Sequence, residues 1–553
     1  MSPPASAARA RRERAWLAAL QIALLAPFLD KPFHVDDAFF LAIAEQIARD
    51  PLHPFDFAYN WTGVPDLVAH EMKNPPLVFY AQALWHELGI AIGVDARGAW
   101  SERWLHAGFL AFALAAGQAT YALASRATRA PLLASALLVA SPSFWVPATS
   151  AMIDVPLVAA LLAALLALER ARAAEREGRP ARGAWAAAAA AATAAVLSKY
   201  AALVLLPAAS LPLALAAVRE ARAPRDAARR LAIAASAPAL AFAAWWAASG
   251  GHPLAALAYR STERGDALVW LAAHGPAALA FCGGLLGFPV AAQVAALARP
   301  DERGLALVGA GAGVAALAIR HALFAFPFSA VNDALLVVLA ASGATFALLV
   351  AARARAARTP LERALLVWLA VGFAFVAVGN WTVNARSVLL VAPPAAIFAA
   401  RLAEGRARLA RGALAAAFAL GLVVALADAD LAAFGPAEAT RIAREAPPGA
   451  RVRFVGHWGF QRYMERAGFA HVDLAHADVR PGDVVAVPRM HRIASVPFEL
   501  PAPRAREVHV VERRLPVAVM DGESGAGLHG SFLGPLPFAY ATGPLEVVDV
   551  LAW

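Results

Sequence analysis

Cysteine is almost absent from this sequence, and its scarcity limits how the fold can be stabilised. Among 553 residues only Cys282 is a cysteine, so no disulfide can form within the chain. It lies in an apolar run, where a thiol usually packs as a small hydrophobic group. The fold must therefore be held together without a covalent cross-link.

Lysine is nearly as rare, although the chain is basic. Of 49 basic residues only Lys31, Lys73 and Lys199 are lysines, and the net charge is +9. This charge reflects an alanine- and arginine-rich composition typical of a GC-rich bacterium, and it does not indicate nucleic-acid binding. Walker loops, dinucleotide fingerprints and nucleophile elbows do not occur with the flanking strand and helix that they require. No internal repeat of fixed period is found either.

Long apolar runs dominate what is present. The sequence is 60% hydrophobic with a mean hydropathy of +0.57, more apolar than a soluble domain of this size. No A-x-A-like cleavage site follows the first run, so we expect that run to remain as a helix. Runs of this length separated by arginine-rich segments predict a polytopic α-helical membrane protein. Thirteen spans are predicted, at roughly 15–30, 103–124, 130–147, 153–169, 184–198, 201–218, 229–249, 269–297, 304–323, 331–352, 362–379, 387–401 and 411–428.

Positive charge predicts the orientation of these spans. With the N-terminus inside, inner segments carry 26 basic residues and the short outer loops carry 10, as the positive-inside rule requires. An odd number of spans places the C-terminal region outside, and all three lysines fall on that same side. We therefore predict a multi-pass protein of a bacterial inner membrane with a cytoplasmic N-terminus.

Two regions are expected outside the membrane. Residues 431–553 are rich in proline and glycine, with predicted strands at 451–455, 470–474 and 484–487 and a helix at 459–466. They predict a small periplasmic α/β domain after a transmembrane domain at 1–430. The first outer loop, 31–102, carries two predicted interfacial helices at 39–47 and 77–92. If the second of these spans the membrane instead, the number of spans changes.

An acid pair, Asp36 and Asp37, begins this loop. Carboxylates at a membrane surface are costly and usually mark a site. Such an acid can deprotonate a hydroxyl acceptor or ligate a metal near a phosphate. The structural alternative is a helix N-cap before Ala38, and one residue can cap while the other acts. Asp154, before Pro156 at a predicted outer helix start, has the same two interpretations.

Three cations are candidates for binding an anionic lipid-linked donor. Lys73 precedes Asn74 and a stiff Pro-Pro turn, Lys199 interrupts the apolar pair of spans five and six, and Arg386 lies between two outer span ends. Lysine and guanidinium groups both suit phosphate. The alternatives are an exposed loop lysine at 73, a snorkelling lysine at 199 and an interfacial anchor at 386.

Three further residues are candidates for contact with a sugar. Asn74 can offer an amide to a hydroxyl, and Trp61 and Trp381 can stack on a sugar ring, although tryptophan is also enriched at membrane interfaces. His457 lacks a second histidine or cysteine at ligand spacing. No metal site is therefore indicated.

Together these motifs resemble the GT-C membrane glycosyltransferases. The likeness is to the family 39 type, which includes protein O-mannosyltransferases and lipid A aminoarabinose transferases. It covers roughly residues 20–430 in layout. The resemblance is most specific between the acid pair and Pro76 and around Asp154, and it is weaker at Lys199 and Arg386.

The resemblance implies a GT-C fold and an activity. Family members transfer a sugar from a polyprenyl phosphate on the non-cytoplasmic face, usually with inversion. Asp36 matches the acceptor-activating acid and Asp154 the second acid of the pocket, whereas Asp37 stands where the family usually has glutamate. Lys73 matches the donor-binding lysine, although Asn74 separates it from the prolines.

Other implications concern substrates and cofactors. Ala38, Phe39 and Phe40 replace the polar residues that usually follow the acid pair, which predicts a different acceptor or donor from the aminoarabinose enzymes. The acceptor is a glycolipid, glycan or protein hydroxyl. The leaving group is a good one, so no cofactor is required, although a divalent metal stays an alternative. Competing hypotheses are a transporter or flippase of lipid-linked sugars, and a non-catalytic envelope scaffold.

Overall fold

The computed structural model describes residues 3–96, 99–252, 267–323, 328–476, 479–491 and 500–553. Its helices are numbered here in chain order. Those before residue 250 are α1 Pro3–Leu25, α2 Asp37–Arg49, α3 Val68–Glu71, α4 Leu77–Ala91, α5 Glu102–Ala124, α6 Pro131–Ala140, α7 Pro142–Ala148, α8 Asp154–Glu177, α9 Arg182–Ser198, α10 Ala202–Arg219 and α11 Pro224–Ala248. Those after it are α12 Ala267–Leu286, α13 Phe288–Leu297, α14 Pro300–Leu323, α15 Ala330–Ala354, α16 Pro360–Ala374, α17 Ala385–Leu389, α18 Ala392–Leu402, α19 Ala407–Glu445 and α20 Trp458–Arg466.

Many of these helices are long and apolar enough to cross a membrane. Within the described residues eight meet that criterion, or nine if α6 and α7, bent by 61°, count as one span. The chain is thus a multi-pass helical membrane protein, but the predicted count of thirteen is not confirmed. Short helices such as α9, and charged ones such as α8, do not meet the criterion.

Local breaks correct two of the predicted spans. The segment predicted at 269–297 is two helices, because Gly287 adopts φ +74° between α12 and α13, a conformation that suits glycine. Any Cβ there would also collide with the α19 backbone. The segment predicted at 387–401 is likewise divided, between α17 and α18. The predicted break at Lys199 separates α9 from α10.

Helix starts follow the local sequence. Thr359 and Glu362 form a capping box at the start of α16, with Pro360 in its first turn, which is a common arrangement for a helix beginning. Gly178 ends α8 in the left-handed conformation at φ +70°, as a C-terminal glycine often does. Helix α16 begins two residues before the predicted span 362–379, whereas α8 extends eight residues past the predicted end at 169.

Close packing of small residues holds the apolar part together. Gly283 of α12 and Gly343 of α15 each lie against the other helix's backbone, and a Cβ at either would overlap a carbonyl oxygen. Without a hydrophobic drive between helices in lipid, such close approach favours their association. Large buried rings, among them Trp145, Trp368 and Phe281, fill the interior around these contacts.

The predicted first-loop helices and C-terminal elements are present. The loop forms α2, α4 and a short hairpin of β1 Ala58–Asn60 with β2 Pro65–Leu67. The remaining strands are β3 Arg451–Phe454, β4 Ala470–His471, β5 Asp483–Pro488, β6 Ala505–Val511, β7 Val517–Ala518, β8 Met520–Asp521, β9 Ala526–Gly527, β10 Ala539–Tyr540 and β11 Glu546–Ala552. A mixed sheet has the order β4-β3-β5-β11-β6, with β3 parallel to both neighbours. Helix α19 runs without interruption through the predicted boundary at 430.

Helix α20 packs directly on the first loop. The Tyr463 hydroxyl accepts a hydrogen bond from the Phe33 amide at 2.9 Å and donates one to Glu102 at 2.8 Å. Arg462 pairs with Glu45 of α2 at 2.7 Å. Gly459 lies so near the Phe33 carbonyl oxygen and His34 that a Cβ has no room. The C-terminal region thus determines where the chain before Asp36 lies.

We expect Gly459→Ala to displace this loop. The new methyl group must push against backbone atoms, and overpacking of this kind costs about 1–3 kcal/mol. Thermal unfolding in detergent should show a lowered midpoint. Gly468→Ala is not a suitable control, because Gly468 has a positive φ. A Cβ at Gly412 of α19 would meet only the Cβ of Ala291, at an ordinary contact distance of 3.7 Å. An unchanged midpoint for Gly459→Ala alongside Gly412→Ala would contradict the close contact.

Candidate active site

A cavity of about 180 Å³ lies where the first loop, the turn at Lys199, the segment before α17 and the C-terminal region meet. Its walls combine charged, amide and aromatic side chains. They are formed by Val35, Asp36, Phe39, Phe40, Trp61, Glu71, Met72, Lys73, Asn74, Lys199, Asn380, Trp381, Asn384, Arg386, Trp458, Met520, His529 and Phe532. Seven of the nine residues predicted for the site are in this set. Asp37 and Asp154 are not.

The two adjacent aspartates have different environments. Asp36 reaches the cavity, keeps 21% of its side chain exposed and forms an ion pair with Arg386. Asp37 is fully buried and accepts hydrogen bonds from the amides of Ala151, at 3.0 Å, and His34, at 3.2 Å. Asp36 occupies the N-cap position of α2, but its side chain makes no capping hydrogen bond. The structure therefore brings Asp36 to the cavity and uses Asp37 to anchor the backbone beside it.

Arg386 is the cation nearest to Asp36. It lies in α17, whose start is held by a capping box of Asn384 and Ser387. Burial acts to lower the pKa of Arg386, but the carboxylates of Asp36 and Asp154 outweigh it and keep the pKa above its ordinary value. The guanidinium is thus charged. Its buried Nε has no hydrogen-bond partner among the described residues, which leaves one donor available to a ligand.

Lys199 reaches the cavity wall, and a buried carboxylate neutralises its charge. Its Nζ lies 2.6 Å from Oδ1 of Asp154, which is completely buried at the start of α8. The lysine side chain keeps 19% of its surface exposed. Both alternatives considered from sequence, pairing with a substrate and snorkelling, omitted this internal partner. Asp154 thus contributes to the site through Lys199, without lining the cavity.

We expect the Lys199–Asp154 pair to be strongly coupled. Removing one partner of a buried pair leaves the other charge uncompensated, which costs about 3–5 kcal/mol. Lys199→Met and Asp154→Leu should each lower the unfolding midpoint, and the double variant should recover part of the loss. A double-mutant cycle in detergent measures this. Additive losses would show that the two charges do not depend on each other.

The end of the first loop contributes Lys73 and Asn74. Both line the cavity, just after α3 and before the prolines that begin α4. The Asn74 amide approaches the Met72 sulfur at 3.7 Å, a weak contact. The Met72 carbonyl in turn accepts from His252. This hydrogen bond holds the loop end on the residues after α11.

Two pairs of aromatic rings form part of the cavity wall. Trp61 stacks on Phe39 with ring centroids 4.8 Å apart, and Trp381 stacks on Phe532 at 5.7 Å. Sequence analysis omitted Phe532 and His529 because they lie far along the chain, in a segment without a motif. Trp458, the residue after His457, was also not predicted for the site.

Backbone strain is concentrated at this cavity. Of three non-glycine residues with positive φ among the described residues, two line it: Val35 at +49° and Trp458 at +61°. A β-branched residue with positive φ is a true outlier. Strained residues persist where the surrounding structure over-determines them, and they cluster at functional sites. Here Val35 precedes Asp36, and both Asp36 and the Trp458 side chain line the cavity.

Beneath the cavity lies a buried polar cluster centred on Asp428 of α19. Lys31 contacts one carboxylate oxygen, at 2.5 Å, and the Nε2 atoms of His34 and His529 approach the other, at 3.0 and 2.7 Å. His34, Asp428 and His529 are a set that could hold a metal ion. This set was not foreseen from sequence, because its members lie up to hundreds of residues apart.

The sequence also matches a known family over part of its length. Residues 73–246 match the family model described as dolichyl-phosphate-mannose-protein mannosyltransferase. The resemblance to family 39 GT-C glycosyltransferases is confirmed. The match begins at Lys73 of the cavity and includes Asp154 and Lys199. No curated protein matches the sequence significantly.

Solved structures give partial superpositions at low identity. ArnT from Cupriavidus metallidurans bound to undecaprenyl phosphate is 16% identical, with 86% of this chain and 92% of that chain covered and a TM-score of 0.42. The Archaeoglobus fulgidus oligosaccharyltransferase tethered to an acceptor peptide is 15% identical, with 84% and 63% covered and a TM-score of 0.49. The S. cerevisiae protein O-mannosyltransferase Pmt1–Pmt2 complex bound to the sugar donor is 15% identical, with 45% of this chain and 32% of that chain covered and a TM-score of 0.31. This chain therefore spans about a third of the yeast chain's length.

Proposed function

We propose that the protein transfers a sugar from a polyprenyl-phosphate donor to a hydroxyl acceptor, with inversion, on the outer face of a bacterial inner membrane. The observation that carries this proposal is the Asp36 carboxylate, which faces the same small cavity as Lys73, Lys199 and Arg386. A base together with several cations suits a reaction in which a hydroxyl loses a proton and an anionic group departs.

The cations form the proposed phosphate subsite. The Nε of Arg386 has no hydrogen-bond partner in the part of the chain that the structure describes, and Lys199 is held at the wall by Asp154. A guanidinium can bind two phosphate oxygens at once, whereas an ammonium acts as a point charge. These groups would stabilise the negative charge that develops on the departing polyprenyl phosphate. The prenyl chain would extend from the cavity into the bilayer.

The ion pair between Asp36 and Arg386 suggests how the base is released. The guanidinium binds the Asp36 carboxylate. A donor phosphate competes for the same guanidinium, so its arrival would free the carboxylate to accept a proton. The hydroxyl oxygen of the acceptor then bonds to the anomeric carbon, while the bond between that carbon and the phosphate oxygen breaks and the polyprenyl phosphate departs. The hydroxyl proton passes to Asp36. The base would thus become available only when the donor is bound.

The aromatic walls suit the sugar. Trp61 and Trp381 each rest on a second ring that limits their motion, and rigid tryptophans offer large apolar faces to a sugar ring. Asn74 and Asn384 line the same cavity with amides that can bind hydroxyl groups. The C-terminal residues Trp458, Met520, His529 and Phe532 close the cavity and are the proposed contacts for the acceptor.

Mass spectrometry of envelope glycolipids, glycans and glycoproteins tests this function. Cells with the native gene are compared with a deletion strain and with Arg386→Gln at matched protein level. Arg103→Gln is the control, because Arg103 forms an exposed pair with Asp30 away from the cavity. We expect the deletion and Arg386→Gln to lose the same sugar addition and to accumulate the same polyprenyl-phosphate sugar.

The other outcomes distinguish the rival functions. If the deletion alters the envelope while Arg386→Gln behaves as native, transport of lipid-linked sugars or scaffolding replaces transfer. A deletion that leaves both sugar additions and lipid-linked sugars unchanged contradicts the proposal altogether.

A further inference from the structure

Three potential metal ligands meet beneath the cavity from distant parts of the chain. His34 follows α1, Asp428 lies in α19, and His529 lies in the loop between β9 and β10. Their exposed fractions are 3%, 0% and 5%. One nitrogen from each histidine and one carboxylate oxygen all lie within 4.8 Å of one another. Convergence of three such donors in the interior requires a physical explanation.

We propose that His34, Asp428 and His529 bind one divalent transition-metal ion, with Zn²⁺ as the expected occupant. Two imidazole nitrogens and one carboxylate oxygen are a common protein ligand set for zinc. Imidazole also suits copper, iron and nickel, whereas magnesium and calcium prefer oxygen ligands. Three protein ligands leave the coordination sphere incomplete, so a water molecule would complete it.

The surrounding groups suit a metal-bound Asp428. Lys31 binds the Oδ2 atom, while both histidine Nε2 atoms face Oδ1. Oδ2 is therefore oriented by Lys31, and Oδ1 remains available to bind the ion. Such supporting contacts around a metal site position its ligands.

The environment of His34 is compatible with an ion. Its Nε2 lies 3.0 Å from Oδ1 of Asp428, whereas its Nδ1 lies 3.8 Å from Oδ2 of Asp37, beyond hydrogen-bond distance. With Nε2 bound to a cation, the proton of the neutral imidazole resides on Nδ1 and faces Asp37, as in carboxylate–histidine–metal arrangements. The rival is an ion-free cluster in which the imidazole groups donate their Nε2–H to Asp428.

The ion would join three segments that form the cavity. Asp36 lies two residues after His34, and His529 is itself in the cavity wall. The loop around His529 is also bonded to the segment that carries Arg386, through Ala385 N–H to the Leu528 carbonyl at 2.8 Å. Metal binding would therefore stabilise the site without taking part in sugar transfer, and this inference does not depend on the proposed function.

Metal analysis of the full-length protein tests the inference. The protein is purified in detergent with a tag free of histidine, loaded with Zn²⁺, desalted and analysed by inductively coupled plasma mass spectrometry. We expect about one zinc per native chain and at least a tenfold lower occupancy in His529→Ala, because affinity depends on each ligand. His106→Gln is the control: His106 is buried and bonded to the Leu29 carbonyl, outside the cluster.

Thermal unfolding gives a second measurement. A chelator should lower the unfolding midpoint of the native protein but not that of His529→Ala, since an ion stabilises only the state that binds it. Native protein that retains no stoichiometric zinc after loading would overturn the inference in favour of the ion-free cluster. Full occupancy in folded His529→Ala would overturn the ligand assignment. If His529→Ala does not fold, the inference is tested by the amount of zinc bound per native chain and by the change that the chelator causes in the unfolding midpoint of the native protein.

Discussion

Asp36→Asn is expected to reduce sugar transfer by about a thousandfold while leaving the protein folded. A positioned general base typically contributes a factor of 10²–10⁴ to the rate, and an amide cannot accept the proton. The donor should still bind, because Lys73, Lys199 and Arg386 remain in the cavity. Single-turnover transfer from a purified polyprenyl-phosphate sugar, measured with donor binding on the same sample, separates the two effects.

Asp37→Asn is the matched control for this prediction. The Asp37 carboxylate holds the amides of Ala151 and His34 and has no surface exposure. Weakening buried hydrogen bonds to a charged group costs about 1–3 kcal/mol. This variant should therefore lower the unfolding midpoint more than Asp36→Asn does. Native transfer rates in Asp36→Asn, at native protein level, would remove Asp36 from the mechanism.

Asp428→Asn is expected to produce the largest loss of stability. The buried carboxylate lies between Lys31, His34 and His529, and its removal leaves the Lys31 ammonium without a countercharge. Removing one partner of a buried pair costs about 3–5 kcal/mol. A lowered thermal unfolding midpoint in detergent, with loss of folded yield, is the expected result.

Two further variants test the cause of that loss. Asp430→Asn changes an acid two residues along the same helix, which is 8% exposed, pairs with the exposed Arg514 and accepts the Arg514 amide hydrogen bond at 2.9 Å. Asparagine keeps an acceptor oxygen and leaves no buried cation without a countercharge, so its effect should be smaller than that of Asp428→Asn. Combining Asp428→Asn with Lys31→Met removes both charges and should recover part of the stability. Equal losses from Asp428→Asn and Asp430→Asn would show that the buried charge pair is not the cause.

Much of the secondary structure was predictable because its signals are local. Apolar runs and turn residues predicted α5, α10, α14 and α15 to within a few residues, and the pattern around Pro481 predicted β5. Errors arose where helices break within an apolar run. At Gly287 the sequence contains no polar residue to mark the break, and the reason for it is the close approach of α19, a contact more than a hundred residues away.

The site was predictable in composition but not in arrangement. Residue type and position identified Asp36, Lys73, Lys199 and Arg386, all of which line one cavity. The resemblance assigned the acceptor-activating role to Asp36, but no local pattern indicated that Asp37 is buried, because that depends on the amide of Ala151. Nor did the sequence indicate that Asp154 neutralises Lys199. The C-terminal wall, with Phe532 and His529, lies in a segment without a recognisable motif.

The sequence by itself determined a multi-pass helical membrane protein with its charged candidates at helix ends, because hydrophobicity, glycine, proline and helix-capping residues act within a few positions along the chain. Only the tertiary structure decided which carboxylate reaches the cavity, which cation it meets and which histidines surround Asp428. The pairs Asp36–Arg386 and His34–Asp428 are separated by 350 and 394 residues. Packing of the whole chain sets their distances, burial and charge balance, which no local pattern encodes.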